Sequence, residues 1–484
     1  MKRLWTVLFG LLGVIHASPP LKDTLRLNMT LVHSKSPPTV SDPSDLLSEG
    51  LIDARLRLNS FVYDNGDDAY DQQIVGLGGS LGFRSAYWQG LGFSAVAYTS
   101  QEILHGSMDD VSHYKAGKDV LSRYDAMHGR HRGIESLAQA FVEYRDAQSS
   151  LKVGRLLFES FLTQSNDTKM IPNAFEGVTF ESQRLPDTGL KMALFTRQKL
   201  RDHRDFHHLL AYGDNPEDPY AKWSENDDSA MHRGLTLSRL TSQGIEDRLL
   251  VIELQNHALD RAKLKLNYTA VPELIASAMV EGSYQWAMAE TKVIPAVRYM
   301  KQFDEGAGAI GGANLRLNTV GYTNPDSLDG GLVGLRMDVA QKRWRVRLGY
   351  THIMDEGDIV APWRGFPTGG YTRAMGQYNW YANTDTYMVQ TEYKVGDELT
   401  FLSKVHVRMR YAIEDFDDAK AGVQSDAQVW TLDVVKKGFD VAPNLYGKFR
   451  VAHVQGDDET MAQDGTLKPD PSYNEARLEF NYLF

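Results

Sequence analysis

The chain has no cysteine among its 484 residues, which excludes a disulfide framework and a thiolate metal site. The chain also has fewer basic than acidic residues. The 52 lysines and arginines are outnumbered by 63 aspartates and glutamates, so the formal net charge is −11. Binding to phosphates requires a basic surface, so this balance argues against a nucleic-acid partner. The composition therefore indicates neither a disulfide-stapled scaffold nor a nucleic-acid-binding protein.

Long apolar runs are missing from all but the N-terminus. There, two basic residues precede an apolar stretch from Leu4 to Ile15, and the small residue Ala17 follows. About 12 apolar residues are too few for a membrane anchor, which needs ~20, but they match the apolar part of a secretory signal peptide. We therefore expect residues 1–17 to be a cleaved signal peptide and 18–49 to be an N-terminal segment without strand periodicity. The exported chain is then either soluble or a β-barrel.

The sequence does contain a regular alternation of apolar and polar residues. In the last ten residues the alternate apolar positions are Ala476, Leu478, Phe480, Tyr482 and Phe484. Charged and amide side chains occupy the positions between them. Successive side chains of a strand point to opposite faces, so this segment has one apolar and one polar face. The closing strand of a barrel in lipid has this form, because its apolar face meets lipid and its polar face meets water.

The same alternation recurs from residue 51 onward and predicts about eighteen strands. We place them at residues 51–63, 72–87, 91–100, 135–146, 149–157, 176–184, 188–200, 247–258, 261–270, 274–287, 290–303, 330–340, 342–353, 384–395, 400–414, 427–438, 444–455 and 474–484. An even number is what bacterial single-chain barrels have. A mean hydropathy of −0.38 also suits a barrel, since only every second residue of a spanning strand meets lipid.

The connections between these strands are mostly short and long in turn. The long polar ones are 101–134, 201–246, 304–329, 354–383 and 456–473, and the brief link at Val271–Glu273 is the exception. Membrane barrels have short periplasmic turns and long outer loops. The predicted fold is therefore all-β: a transmembrane antiparallel β-barrel domain of about 18 strands over residues 50–484.

Three features of the sequence resemble OprD-type outer-membrane porins, the substrate-selective porins of Gram-negative bacteria. They are the segment Leu151–Leu156 running into Met170–Gly177, the segment Leu348–His352, and the C-terminal Phe484. The resemblance spans residue 50 to the C-terminus. It implies an eighteen-stranded barrel, monomeric or homotrimeric, in the cell outer membrane, where its partners are membrane lipids and lipopolysaccharide.

The same resemblance implies a function and a site. The expected function is passive, selective diffusion of small carboxylate-bearing solutes such as amino acids and organic acids, without a cofactor or enzyme activity. A third loop folded into the barrel near 158–175 is expected to constrict the pore. Its candidate constriction residues are Ser165, Asn166, Asp167 and Lys169.

Strand parity predicts which basic residues face the water-filled interior. A Lys or Arg on the lipid face costs about 2–4 kcal/mol at mid-bilayer, so these side chains must point inward. The candidate pore-lining basic ladder is Arg55, Arg57, Lys263, Lys265, Arg336, Arg343, Arg345, Arg347, Lys404, Arg408, Arg410, Lys448 and Arg450. Guanidinium groups at ~7 Å intervals along a strand can pass a carboxylate from one to the next. The alternative is that these cations only neutralise inward acids such as Asp53, Glu143, Glu392 and Glu479 in wall salt bridges.

The sequence is also compatible with other functions. A non-selective general porin has the same barrel, and a hydrolase embedded in the barrel wall needs a nucleophile and base that do not stand out in the sequence. His203, His207 and His208 have metal-like spacing, but they lie in a long polar loop, so no metal site is predicted. An active receptor needs an N-terminal plug, and residues 18–49 are too short to form one.

Overall fold

The computed structural model is a closed antiparallel barrel of 18 long strands, as the sequence predicts. It describes residues 23–27, 29–64, 71–105, 120–122, 125–126, 129–166, 169–201, 203–211, 213–214, 235–312, 318–375, 378–396, 402–440 and 442–484. The predicted signal peptide, residues 1–17, lies outside these ranges. Among the described residues, no helix is long and apolar enough to cross a membrane.

The described residues form twenty-three strand segments, and eighteen of them are long. They are β1 (Thr24–Leu25), β2 (Leu31–Val32), β3 (Thr39–Val40), β4 (Leu51–Asp64), β5 (Gln72–Arg84), β6 (Tyr87–Trp88), β7 (Leu91–His105), β8 (Ile134–Arg145), β9 (Ser149–Leu156), β10 (Ala174–Leu185), β11 (Thr188–Lys199), β12 (Leu249–Asn256), β13 (Ala262–Val271), β14 (Ile275–Tyr284), β15 (Trp286–Met288), β16 (Thr291–Asp304), β17 (Gly330–Ala340), β18 (Trp344–Ile353), β19 (Thr384–Lys394), β20 (Val405–Asp415), β21 (Ala427–Phe439), β22 (Ala442–Gly456) and β23 (Tyr473–Leu483). Two short helices, α1 (Asp45–Ser48) and α2 (Leu237–Gln243), and an irregular helical turn at Gly308–Gly312 lie in the connections.

The barrel closes where the last strand meets the first long one. β23 pairs antiparallel with β4, with Phe480 opposite Leu58 and Leu478 opposite Ser60. Each long strand otherwise pairs with its sequence neighbours, while the short segments β3, β6 and β15 extend these pairings. Closure gives each of the eighteen long strands that the structure describes a hydrogen-bonded partner on both sides, as spanning a membrane requires.

Side-chain alternation divides the barrel wall into an exposed and a buried face. The apolar side chains of Leu348, Val389 and Met409, on three neighbouring strands, are 46%, 43% and 47% exposed. Inward positions of the same wall, such as Thr351 and Thr386, are buried. An apolar belt exposed around the outside of the wall is the pattern of a barrel surrounded by lipid.

The hydrophobic core lies inside the barrel. Inward side chains such as Phe195 and Met300 pack with residues of the long connections, including Leu162, Trp363 and Trp380, in one buried cluster. The connections are therefore part of the packed interior. The open lumen is correspondingly narrower than the strand count alone allows.

Several predicted strand boundaries differ from the structure by a few residues, and two of these differences affect predicted site residues. The strand predicted at 400–414 begins at Val405, because Lys404 adopts a left-handed backbone (φ 60°) in the preceding turn. The strand predicted at 342–353 begins at Trp344, so Arg343 also precedes its strand. Parity applies only inside a strand, so it does not orient either side chain. The tight link after β13 is real, and it turns at Glu273 with φ 66°.

The N-terminal segment forms a small hairpin at the short-turn end of the barrel. β1 and β2 pair with each other, and Leu25 and Met29 pack in one cluster with Val435, Tyr446 and Leu483 of the wall. The hairpin therefore lines the inner wall of that end. Its residues do show short strands, which the sequence pattern did not predict.

Candidate functional site: a constricted, charged lumen

Two inward loops meet across the interior. Loop A (residues 157–173) joins β9 to β10, and loop B (residues 354–383) joins β18 to β19. These strand pairs lie on nearly opposite walls, with β11–β14, β16 and β17 between them on one side and β20–β23, β4, β5, β7 and β8 on the other. Contacts between the two loops must therefore cross the lumen.

The loops are joined by backbone pairing. Thr163 and Arg364 form an antiparallel bridge, and the Gly365 N–H donates to the Leu162 carbonyl at 2.9 Å. The Asn166 side-chain amide donates to the Arg364 carbonyl at 2.7 Å. A Cβ on Gly365 would lie 2.2 Å from the Leu162 carbonyl carbon, so glycine is required for this close approach. Together the loops form a hydrogen-bonded bridge across the barrel interior, which is the candidate constriction.

Loop A is stabilised by a contact with the barrel wall and by hydrogen bonds within the loop. The Glu253 carboxylate accepts the Phe161 N–H at 2.9 Å and lies 2.9 Å from the Lys265 ammonium. Within the loop, the Ser165 N–H and hydroxyl donate to the Glu159 carboxyl. Burial raises the pKa of Glu159. The carboxyl acts here as a hydrogen-bond acceptor that shapes the loop.

The predicted constriction residues lie in loop A. Ser165 and Lys169 are buried, while Asn166 is half-buried and bonds to loop B. Asp167 lies outside the described residues. Asn166 thus lies at the junction of the two loops and Ser165 is next to it, while Lys169 is a buried residue of loop A.

Loop B is held by three arginines of the wall. Arg298 on β16 donates to the carbonyls of Pro367 (2.6 Å) and Gly369 (2.9 Å). Arg336 on β17 and Arg347 on β18 donate to the Gly370 carbonyl at 3.3 and 2.8 Å.

The same guanidinium groups are oriented by inward acids. Glu281 lies 2.8 Å from the Nε of Arg298, and Asp338 lies 3.5 Å from Arg336 and 2.6 Å from Arg347. Arg336 and Arg347 therefore act as anchors of loop B, a role that the ladder prediction did not include.

Charged side chains form a row across the wall opposite loop A. Going around from β18 to β23, cross-strand neighbours in the row are Arg345, Glu392, Arg408, Asp433, Arg450 and Arg477. Arg408 lies 2.8 Å from Glu392, and both oxygens of Asp433 accept from Arg450, whose Nη2 is at 2.9 Å. Cations and acids alternate from Arg345 to Arg450, and the row ends in a further cation, Arg477, which pairs with Glu475 of its own strand. The row thus holds four cations and two acids.

Some inward cations of this wall have no acid of their own. Asp433 pairs with Arg450 and also lies 3.9 Å from Arg410, so two guanidiniums share one carboxylate. Within the described part of the chain, Lys448 and Arg345 have neither a hydrogen bond nor a carboxylate within 4 Å of the cationic nitrogens, although Glu479 and Glu392 are their cross-strand neighbours. Lys448 is only 5% exposed. We refer to Arg345 and Lys448 as the surplus cations.

The remaining predicted basic residues have varied surroundings. Arg57 pairs with Glu479 at 2.8 Å, and Arg55 donates to the Asn481 side chain and to the Met29 carbonyl, each at 2.9 Å. Lys263 is exposed near the short-turn end. Wall salt bridges thus account for Arg57, as they do for several other members of the ladder.

Sequence reasoning missed Arg298, its partner Glu281, and Arg477. All three lie in predicted strands at inward positions, so parity could have found them. It also missed Tyr371 and Trp363 of loop B. These two residues are buried by long-range packing, which leaves no periodic signal in a loop sequence.

The possible metal ligands of the described residues bond to one another. His203 Nδ1 lies 2.6 Å from His207 Nε2, and burial together with this neighbour lowers the pKa of His207 well below its usual value. Asp23, His33 and Asp53 place ligand atoms within 4.8 Å, but Arg84 holds both oxygens of Asp53. This second group is a salt-bridge network.

Comparison with known families decides the identity of the barrel. A family model described as outer membrane porin, OprD family, matches residues 63–323. The chain belongs to the OprD family. Barrels of this family are porins of the outer membrane, so the short turns of this OprD-family chain face the periplasm and its long loops face outward. No match was found among curated proteins.

Solved porin structures share the fold of this OprD-family barrel. Acinetobacter baumannii OccAB3 is 16% identical, with 90% of this chain and 99% of that chain covered and a TM-score of 0.70. Pseudomonas aeruginosa OpdK, determined with vanillate, is 14% identical, with 91% and 99% covered and a TM-score of 0.68. P. aeruginosa OccK9 (OpdG) is 16% identical, with 91% and 99% covered and a TM-score of 0.67.

Proposed function

We propose that this OprD-family porin is a passive, substrate-selective channel for small carboxylate-bearing solutes such as amino acids and organic acids. The observation that carries the proposal is the excess of inward cations over inward acids on the β18–β23 wall, beside a lumen narrowed by two loops. A solute passing the constriction is brought close to these cations. The OpdK structure contains vanillate, an organic carboxylate, which supports the same class of solute here.

The chemistry of the wall fits a carboxylate in transit. A guanidinium binds a carboxylate through two parallel hydrogen bonds, and an arginine already bonded to a wall acid retains further N–H donors. Several weak sites in succession allow a solute to enter and also to leave. The surplus cations have no carboxylate within ion-pair distance, so they favour anionic over neutral solutes of the same size.

A non-selective general porin is the alternative, in which the cations only neutralise wall acids. The two functions differ in their response to charge removal. The double variant Arg345→Gln/Lys448→Gln removes the surplus cations without breaking a described salt bridge. The matched control Arg408→Gln/Glu392→Gln removes one bridged pair and leaves the net charge unchanged.

Uptake into proteoliposomes tests the proposal. The parent is expected to admit benzoate faster than the isosteric neutral benzamide. The double variant should lose about tenfold in that preference if one charge-assisted contact of ~1.4 kcal/mol is lost. The control pair should retain most of it. Equal uptake of benzoate and benzamide by the parent would establish a non-selective porin.

A further inference from the structure

Loop B carries a tyrosine that is wedged into a notch in the barrel wall. Tyr371 is 0% exposed, and it lies against two glycines on neighbouring strands. A Cβ on Gly349 would be 2.3 Å from the Tyr371 carbonyl oxygen, and a Cβ on Gly334 would be 3.0 Å from the ring. Any larger residue at these two positions would displace the loop. We refer to the recess at Gly334 and Gly349 as the notch, and its shape matches the turn that carries Tyr371.

Two wall arginines hold the ring of Tyr371. The guanidinium of Arg298 lies 4.3 Å from the ring centroid and that of Arg336 lies 4.9 Å from it. Both distances are in the range of cation–π attraction, which strengthens where water is excluded. The same two guanidiniums donate to the carbonyls of Pro367, Gly369 and Gly370, in the turn that leads into the tyrosine. The two arginines therefore hold both the ring of Tyr371 and the backbone of the turn that precedes it.

This anchor is connected to the constriction itself. Arg298 also lies 4.9 Å from the ring centroid of Phe161 in loop A, so it contacts both loops. Arg364 and Gly365, which pair with loop A, are a few residues before Tyr371 in the same loop. A displaced Tyr371 would release the segment that crosses the lumen.

We propose that Tyr371 is a positioning residue that fixes loop B and thereby sets the width and the solute selectivity of the channel. The proposal rests on the proposed transport function and adds the group that determines the open area. Part of the predicted basic ladder, namely Arg336 and Arg347, then acts through the loop as well as through its charge. The tyrosine itself carries no charge, so its removal changes the geometry of the lumen and leaves the number of pore cations unchanged.

Single-channel recording of two variants tests this role. Tyr371→Ala removes the wedge, and Gly349→Ala fills the notch while leaving the wedge intact. Both are expected to raise conductance by at least about 1.5-fold and to increase open-channel noise, because pore diameter governs permeation. Tyr371→Phe keeps the ring and should behave like the parent. Gly282→Ala is the matched glycine control, since a Cβ there meets nothing within 4 Å.

A labelling measurement reports the loop position independently of transport. The chain has no cysteine, so Ala374→Cys introduces a single thiol into loop B at a position that is 2% exposed. A water-soluble thiol reagent should modify this thiol slowly in Ala374→Cys alone and much faster when Ala374→Cys is combined with Tyr371→Ala or with Gly349→Ala. Folding of each variant is checked by heat-modifiable migration.

The outcomes separate the two proposals. If the parent shows no benzoate preference while Tyr371→Ala exposes the thiol, the transport proposal fails and the anchor stands. Parent-like conductance and labelling in both Tyr371→Ala and Gly349→Ala would overturn the positioning role. A parent-like Tyr371→Ala with an altered Tyr371→Phe would also overturn it, because the ring would then be irrelevant.

Discussion

Leu348 is a wall position at which contact with lipid requires an apolar side chain. Its side chain lies on the apolar outer face, 46% exposed and opposite Val389 of the next strand. Leu348→Arg is expected to lower the free energy of unfolding in lipid by about 2–4 kcal/mol, because a cation then contacts acyl chains. Leu348→Met keeps an apolar side chain of similar volume and is the control. The measurement is the denaturant midpoint of heat-modifiable migration in lipid vesicles.

A parent-like midpoint for Leu348→Arg would show that position 348 does not face lipid. The register of β18 against β19 would then be wrong by one residue, since such a shift reverses every side chain of a strand.

The inward or outward direction of a side chain could be predicted from the sequence wherever the residue lies within a strand. Alternation placed Arg347, Arg408 and Arg450 inside because their neighbours are apolar. It did not provide their partners, since the contact of Arg347 with Asp338 depends on strand register and its contact with Gly370 depends on a loop. Lys404 shows where parity stops, because a left-handed turn residue belongs to neither face.

The N-terminal hairpin is an element whose attachment depends on pH. His33 lies 2.8 Å from Asp23 and 3.6 Å from Asp53, and Arg84 is the other charged group of this network. Burial alone would lower the pKa of His33, and Arg84 acts in the same direction. The bonds to the two carboxylates outweigh both effects, so the net pKa is raised. A raised histidine pKa stabilises the docked hairpin fully below the ordinary value of ~6.5, and this stabilisation is lost as pH rises through the higher value.

Hydrogen exchange of the hairpin backbone should therefore be slow at pH 5 and become faster above neutrality, after correction for intrinsic exchange. His33→Gln keeps a polar side chain but does not titrate, so its protection should not depend on pH. An identical pH profile in the parent and the variant would assign the change to another group.

Loop A is the element that constricts the lumen in the proposed channel. Deleting residues 164–169 removes Ser165 and Asn166, and with them the bond to the Arg364 carbonyl. The deletion is expected to raise single-channel conductance and to weaken discrimination between benzoate and benzamide. The control deletes Gln463–Gly465, the exposed tip of the loop between β22 and β23.

Unchanged conductance after the loop A deletion would place this segment outside the conducting path. A similar rise after both deletions would instead indicate general loosening of the barrel.

Whole elements followed from the sequence more completely than their contacts did. Alternation fixed the strands because one wall face meets lipid and the other water, and this difference repeats every two residues. Loops A and B have no such period. Their pairing at Thr163 and Arg364 joins positions far apart in the chain and depends on which walls the closed barrel brings opposite each other.

At the scale of the molecule, the barrel forms the wall of the porin, and residues of the two loops fill part of its interior. Eighteen strands supply the wall, and the OprD family model identifies the class. The interior is filled by loops that wall arginines hold in place. In the proposed function, selectivity for carboxylates depends on the inward cations of the β18–β23 wall. Their effect should shrink as salt rises, because charges in a wet pore are screened over about 8 Å at physiological ionic strength.

The most direct test of the central claim is the single-channel current of the parent porin in a planar bilayer, recorded while benzoate or benzamide is added to one side. Benzoate is expected to interrupt the current in a concentration-dependent manner, and benzamide at the same concentrations should leave it unchanged. Raising the salt should weaken the benzoate effect. Indistinguishable traces with the two solutes would contradict a channel selective for carboxylates.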